Sequence, residues 1–139
     1  MPANGLKMLR PATFGAPRGP YSPGVLAENP SAILYLAGQV PVDHNGEIVG
    51  EGDFETQARK VFENIGAVLA EAGMDFSHVV KFTNYLLSPE HLPLLRNVRS
   101  SLWPELFPDG AFPADTLLVV SRLARPEFLL EVEAVAVRC

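Results

Sequence analysis

One stretch of the sequence constrains the fold more than any other. Residues 53–73, DFETQARKVFENIGAVLAEAG, carry apolar side chains three and four residues apart, the spacing of one face of an α-helix. Gly73 follows the last of them, where glycine commonly terminates a helix. A helix with such a face needs a sheet to lie on. The apolar positions are Ala58, Val61, Phe62, Ile65, Val68, Leu69 and Ala72, and the outer, solvated face is assigned Glu55, Arg59, Lys60 and Asn64.

The remaining segments predict four strands and a second helix. β-Branched and aromatic residues, bounded by turn-forming residues, are typical of strands, and leucines three and four residues apart indicate the helix. That helix is predicted to end near Pro104. The strands lie at 32–43, 78–88, 116–123 and 127–137, and the helix lies at 89–106.

The first thirty residues are rich in proline and glycine, with prolines at 11, 17, 20 and 23. Proline fixes φ and removes a hydrogen-bond donor, so this part is predicted to be irregular or extended. We therefore expect one domain over 1–139, with a partly irregular segment at 1–18.

With the extended first segment counted as a strand, the predicted order of elements is β-β-α-β-α-β-β. Two helices cover one face of such a sheet and leave the other face uncovered. In the last strand Glu131 and Glu133 share a face, because strand side chains repeat every two residues. An uncovered apolar face of this size predicts a homo-oligomer.

Composition and charge exclude several classes of function. The net charge is −5 and the basic residues are scattered, Arg96 and Arg99 being the densest group, so no nucleic-acid partner is expected. One cysteine and three separated histidines predict neither a disulfide nor a metal site. The sequence contains no stretch of about 20 apolar residues and no apolar core of a secretory signal, so we expect a cytoplasmic protein without a membrane partner.

Several pieces of the sequence, in this order and spacing, resemble the Rid family, also called YjgF or L-PSP. They are GPYSPGV at 19–25, LYLAGQVPVD at 34–43, the helix from Gln57 onward, VVKFTNYL at 79–86, and a final pair of strands that contain VSRL and EVEAVAV. The resemblance covers the chain from about Gly19 onward.

The resemblance implies a fold and an activity. The fold is α/β (α+β) of the chorismate-mutase-like type, a mixed β-sheet with two helices packed on one face. The assembly is a homotrimer that binds small molecules in clefts between subunits. Active members hydrolyse imines or enamines, such as 2-iminobutanoate or 2-aminoacrylate, to the 2-oxo acid and ammonia without a cofactor.

The resemblance also assigns roles to residues. Tyr21 and Ser22 match the cleft wall, Gly38 and Gln39 match the cleft floor, and Glu131 matches the glutamate that positions the attacking water. The alternative for Glu131 is a strand acid bonded to a neighbouring strand, and Glu133 is interpreted as structural. Arg122 is expected to pair with an acid across the sheet or the subunit seam. Trp103 and Phe112 are expected to be core or rim residues.

The sequence departs from the family at Asp115, followed by Thr116. Deaminating members carry there an arginine whose guanidinium pairs with the substrate carboxylate. At about 4 Å and an effective dielectric near 20, two like charges repel by roughly 4 kcal/mol, so an isolated Asp115 is expected to reject a 2-imino acid. Arg18 is the candidate for a replacement cation.

These observations leave three functional hypotheses. The first is a Rid-like hydrolase or deaminase, without a cofactor, whose imine, enamine or amine-bearing substrate differs from 2-iminobutanoate. The second is a non-catalytic trimer that binds a metabolite or a partner in the same clefts. The third is a ribonuclease or translation inhibitor, which the net charge of −5 disfavours.

Overall fold

The computed structural model describes residues 5–139, with eight strands and helices and two short 3₁₀ turns at Ala12–Phe14 and Phe76–His78. The strands are β1 (Leu6–Leu9), β2 (Gly24–Ala27), β3 (Ala32–Gln39), β4 (Val79–Leu86), β5 (Ala114–Val119) and β6 (Leu130–Arg138), and the helices are α1 (Phe54–Glu71) and α2 (His91–Leu106).

The main sheet is mixed and has the strand order β3-β6-β4-β5. β6 is antiparallel to both of its neighbours, and β5 is parallel to β4. β1 and β2 form a separate antiparallel pair. Both helices pack on one face of the main sheet, so the predicted α+β class and layer arrangement are confirmed.

The core lies between this sheet face and the two helices. The predicted apolar stripe of α1 supplies Val61, Ile65 and Leu69, all fully buried. Phe82 of β4 is also fully buried, and aromatic rings surround it at centroid distances of 5.8 to 6.4 Å. Such contacts between ring edges and faces add to the free energy of burial. The surrounding rings belong to Phe62, Phe76, Trp103 and Phe107.

The opposite face of the main sheet is not covered by any element of the chain within residues 5–139. Its apolar side chains are exposed: Tyr35 by 75%, Ile33 by 49% and Leu118 by 42%. Each alternates along its strand with residues that pack against the core, which places it on the outer face.

Several boundaries and pairings differ from the predictions. Leu6–Leu9 form a strand within the segment predicted to be partly irregular or extended, where no strand bounds were predicted; residues 1–4 lie outside the described part. β5 ends at Val119, so residues 120–123 leave the sheet. β6 pairs with β3 and β4 and not with β5, because its alternate residues Leu130, Val132, Ala134 and Ala136 are buried and suit a central position.

Pro104 does not end α2, which continues to Leu106. Proline removes one N–H donor from the helix, but the last turn still closes, since the Phe107 amide donates to the Trp103 carbonyl at 2.7 Å. None of the helices in residues 5–139 has the length and apolar character needed to cross a bilayer.

Candidate functional site

Asp115, at the start of β5, is held by two neighbouring side chains. The Arg99 guanidinium donates to both carboxylate oxygens, from Nη2 to Oδ1 at 3.0 Å and from Nη1 to Oδ2 at 3.2 Å. Asn84 Nδ2 donates to Oδ1 at 2.8 Å, and Asn84 Oδ1 accepts from Arg99 Nη2 at 2.6 Å. The side chains of Arg99 and Asp115 are only 12% and 15% exposed. Asp115 is therefore one member of a compact three-residue network.

The fold brings these residues together because Asp115 lies opposite Phe82 in the parallel pair of β4 and β5. The side chains of Asp115 and Asn84 thus point to the face that carries the helices. Arg99 reaches them from α2, where its guanidinium lies 5.0 Å from the centre of the Trp103 ring. A guanidinium over an aromatic face is attracted by the ring. Arg99 Nε is buried without a hydrogen-bond partner in the described residues, so the ring and the carboxylate hold this side chain.

A cavity of about 440 Å³ opens beside this network, and we call it the Arg99 cavity. It is bounded by α2, the start of β5 and the loop before β2. Leu92, Leu95 and Leu117 supply an apolar wall, and Tyr21 faces them. Three guanidinium groups and one carboxylate line the cavity, a net charge of +2, from Arg18, Arg96, Arg99 and Asp115.

The structure places three of the predicted site residues, Arg18, Tyr21 and Asp115, on this one cavity. The repulsion expected of an isolated Asp115 does not apply, because Arg99 neutralises the carboxylate within the same chain. Sequence reasoning noted Arg99 only as part of a basic pair. The missed signal is its position four residues after Leu95, which puts both side chains on the inward side of α2.

Glu131 lies in a second cavity of about 300 Å³, the Glu131 cavity, on the uncovered sheet face. It shares this cavity with Gly38, Tyr85, Arg122 and Glu133. The Glu131 carboxylate lies directly over the Gly38 backbone: a Cβ added at Gly38 would approach Glu131 Oε2 to 1.8 Å. Only glycine leaves room for the carboxylate in this position.

The acids of the Glu131 cavity influence one another. Burial, and next the charge of Glu133, raise the pKa of the Glu131 carboxyl. The Tyr85 hydroxyl donates to Glu133, and this hydrogen bond is the main cause of the raised pKa of Tyr85. Arg122 donates to the carbonyls of Leu123 and Ala124 at 3.1 and 3.2 Å, so within residues 5–139 it does not pair with an acid.

The other predicted site residues make local hydrogen bonds. The Ser22 hydroxyl donates to the Phe112 carbonyl at 2.6 Å, which ties the loop before β2 to the start of β5. Gln39 Nε2 donates to the Ala37 carbonyl at 3.2 Å, and Thr116 accepts a hydrogen bond from Lys81. Ser22, Gln39 and Thr116 line neither of the two cavities. Trp103 is a buried core residue, and Phe112 is partly buried beside it.

The two cavities lie on opposite faces of one sheet. Asp115 shares the helix-covered face with the buried Asn84, whereas Glu131 stands between the buried Leu130 and Val132 and so points to the other face. A single chain therefore does not bring Tyr21 and Asp115 together with Glu131. It carries the Arg99 cavity on one face and the Glu131 cavity on the other. We call these the cationic half-site and the acidic half-site.

Comparisons with known proteins relate this architecture to one family. The family model described as Endoribonuclease L-PSP matches residues 12–138. The RutC family protein slr0709 of Synechocystis is 34% identical over 133 residues, 95% of this chain and 96% of that protein. The 3-aminoacrylate deaminase RutC of Acinetobacter baylyi is 30% identical over 130 residues, 94% of this chain and 96% of that protein.

Two solved structures support the same assignment. The Rid-family protein YyfB of Yersinia pestis superposes with a TM-score of 0.81 at 33% identity, over 96% of this chain and 98% of that one. TdcF of E. coli with bound serine superposes with a TM-score of 0.70 at 29% identity, over 87% of this chain and 90% of that one.

Proposed function

This chain belongs to the Endoribonuclease L-PSP family, the Rid family of the sequence resemblance, and on that premise we propose that it is a cofactor-independent deaminase. Its substrate would be a small imine, an enamine or another amine-bearing molecule. The observation that carries this proposal is the Glu131 carboxyl, which stands over Gly38 at an open cavity with a raised pKa.

Glu131 suits the proton transfers that deamination needs. Water adds to the carbon of the C=N bond, while Glu131 accepts one proton from that water. The nitrogen takes this proton, which gives an amino alcohol. The hydroxyl proton then passes through Glu131 to the nitrogen, the C–N bond breaks as the C=O bond forms, and the products are ammonia and a carbonyl compound. A raised pKa makes the carboxylate a stronger base than an ordinary glutamate, so it accepts a proton from water more readily.

The active unit that we propose is a homotrimer with its ligand site between subunits. Because the cationic and acidic half-sites lie on opposite faces of one sheet, only a neighbouring copy can set them side by side. The exposed Tyr35, Ile33 and Leu118 on the uncovered face supply apolar surface for that contact. The Arg99 cavity of one subunit would hold the substrate against Glu131 of the next.

The substrate that we propose differs from 2-iminobutanoate. The positive charge comes from α2, through Arg99, and not from β5, where Asp115 stands. The ligand would therefore sit differently from one held by a strand arginine. The similarity to a 3-aminoacrylate deaminase supports a small unsaturated amine as the first compound to test. RNA is not proposed, since the net charge of −5 does not favour binding to phosphates.

The test follows ammonia release from 3-aminoacrylate and from 2-iminobutanoate, each generated in situ. We expect turnover of the first and little of the second. Glu131→Gln should lower the rate by about 10² or more, the usual contribution of a proton-transferring group. Glu105→Gln, at an exposed position on α2, is the control and should keep the rate. Full activity of Glu131→Gln would contradict the proposed role, and rapid use of 2-iminobutanoate would contradict the altered substrate.

A second candidate is a non-catalytic trimer that binds a metabolite in the same clefts. Asp115 in place of the family arginine favours it, and TdcF, which superposes on this chain, binds serine. A thermal-shift screen that includes serine, followed by product analysis for each ligand found, separates the candidates. Binding without consumption supports the second candidate, and consumption supports the deaminase.

A further inference from the structure

The Arg99 cavity has more positive charge than its own carboxylate can neutralise. Asp115 is fully engaged by Arg99 and Asn84. Arg18 and Arg96 line the same cavity, and within residues 5–139 neither side chain makes an ion pair or a hydrogen bond. Both are exposed at the mouth of the cavity. Two uncompensated guanidinium groups thus face one small space in a protein whose net charge is −5.

The interior of the cavity has the lining and the volume of a small-molecule site. Leu92, Leu95 and Leu117 form an apolar lining against which a short carbon chain can pack, and Tyr21 also lines the cavity. A volume of about 440 Å³ lies within the range of small-molecule sites. Arg99, fixed by Asp115 and the Trp103 ring, adds a positive group that does not need to be ordered when a ligand binds.

We propose that the Arg99 cavity binds a substrate with two negatively charged groups, one paired with Arg18 and the other with Arg96. Guanidinium groups pair with carboxylates through two parallel hydrogen bonds, which suits a dicarboxylate. A single carboxylate would leave one arginine at the mouth without a counter-charge. This inference rests on the proposed function, since it describes the substrate of the same site.

Calorimetric titration at low salt with unreactive probes tests the inference. Succinate carries two carboxylates, propionate carries one, and succinamide carries none. We expect succinate to bind about fivefold or more tightly than propionate and succinamide not to bind, the range that exposed ion pairs supply. Equal affinities for succinate and propionate, or no binding of succinate, would overturn the inference.

Two variants test whether Arg18 and Arg96 each bind one carboxylate of succinate. Arg18→Gln and Arg96→Gln should each weaken succinate binding about fivefold and bring it close to that of propionate. Arg59→Gln, on the exposed face of α1 where Arg59 already pairs with Glu55, is the matched control and should change nothing. Succinate binding that survives both cavity variants would place the ligand elsewhere and refute the assignment.

One further variant, Asp115→Asn, is expected to strengthen succinate binding instead of weakening it. Asp115→Asn keeps the shape and removes the negative charge, so succinate should bind more tightly, whereas an unaffected or weaker affinity would count against the cavity. Glu131→Gln should lower the turnover of 3-aminoacrylate by about 10² or more while succinate still binds. Turnover of 3-aminoacrylate without any binding of succinate would thus overturn this inference alone and leave the proposed deaminase standing.

Discussion

The three side chains of Asn84, Arg99 and Asp115 depend on one another. Asn84 is completely buried, and its amide donates to Asp115 and to the Thr116 carbonyl while its oxygen accepts from Arg99. No member can be changed without leaving a partner unsatisfied, and a buried polar group without a partner destabilises the folded state. This network therefore affects both the stability of the fold and the charge of the cavity.

Removal of one member of the pair should be more damaging than removal of both. We expect Asp115→Ala to lower the free energy of unfolding by about 2–4 kcal/mol, because it leaves the Arg99 charge uncompensated in a largely buried place. The double variant Arg99→Met with Asp115→Leu should recover most of that loss. Urea denaturation of the original protein, Asp115→Ala and the double variant measures both effects. A double variant no more stable than Asp115→Ala would contradict the coupling.

An exchange of the two charges tests directly the departure from the family that the resemblance predicts at Asp115. Asp115→Arg alone places two guanidinium groups against each other and should destabilise the protein. The double variant Arg99→Asp with Asp115→Arg restores the pair and sets an arginine on β5, where the resemblance implies one in deaminating members of the family. We expect this variant to hydrolyse 2-iminobutanoate faster than the original protein, measured as ammonia release. A rate no higher than the original would show that the position of the arginine does not select the substrate.

The raised pKa of Glu131 gives stability a defined pH dependence. The folded state retains the Glu131 proton to higher pH than the unfolded chain, whose reference pKa is 4.5. Ionisation of Glu131 therefore destabilises the folded state. The free energy of unfolding falls as pH rises from about 4.5 through the raised pKa.

Glu131→Gln removes this titration. Its stability relative to the original protein should be greater at pH 8 than at pH 4, as measured by urea unfolding at the two pH values. Glu105→Gln corrects for the loss of one charge. If the difference in stability between Glu131→Gln and the original protein did not change with pH, a raised pKa of Glu131 would be contradicted.

The sequence singled out several residues that the fold brings together, but not all of their partners. Arg18, Tyr21 and Asp115 were predicted for a site, and they line one cavity. Arg99 was missed because its role depends on how α2 lies against β5, which residue spacing alone does not specify. Glu131 and Gly38 were expected together from the resemblance, and they are in contact.

At the scale of elements, the start of α1 is joined to the segment before β6 by one buried side chain. Gln57 Nε2 donates to the Gly50 carbonyl at 3.1 Å and to the Glu127 carbonyl at 3.0 Å, and its Oε1 accepts from the Leu129 amide at 2.9 Å. Gln57 is fully buried and satisfies backbone groups of two loops.

Gly50 tests this junction. Its φ is +83°, and an added Cβ would approach the Thr56 Cβ to 2.7 Å and the Gln57 backbone nitrogen to 3.1 Å. We expect Gly50→Ala to lower the free energy of unfolding by about 2–3 kcal/mol, from backbone strain and this clash together. Gly52→Ala is the matched control, with a φ of +75° and no atom within 4 Å of the added Cβ. Equal losses in thermal or urea unfolding would refute the contribution of the clash.

The periodicity of α1 predicted its existence and its buried face, because the pattern repeats over five turns. It did not predict the polar contacts. Asn64, assigned to the solvated face, donates to the carbonyls of Val40 and Val42, both at 3.1 Å, and so anchors the segment after β3. A count of apolar residues cannot reveal a polar side chain that completes a neighbouring loop. The strand pairing was missed for a related reason, since partners distant in sequence leave no local pattern.

At the scale of the whole molecule, the uncovered face of the main sheet exposes apolar side chains of two strands. The proposed trimer would bury Tyr35, Ile33 and Leu118. Light scattering coupled to size-exclusion chromatography should therefore give three times the mass of the chain. Tyr35→Arg should shift the protein to the mass of a single chain, because an arginine at the contact loses its hydration. Ala70→Arg, on the exposed surface of α1, is the control and should leave the trimer intact. A single-chain mass for the original protein would contradict the proposal.

The central position of β6 in the sheet also determines when the sheet can be completed during synthesis. β3 pairs only with β6 in the main sheet, and Ala32 finds its partner Arg138 roughly a hundred residues later in the chain. On the ribosome, β3 and α1 emerge long before the strand that joins β3 to β4 has been synthesised. The apolar stripe of α1 therefore stays partly uncovered while the sheet is incomplete. Sheets whose strands pair across a long stretch of sequence also fold slowly. Folding of this sheet is thus completed only once β6 has left the exit tunnel, and until then β3 has no partner strand in the main sheet.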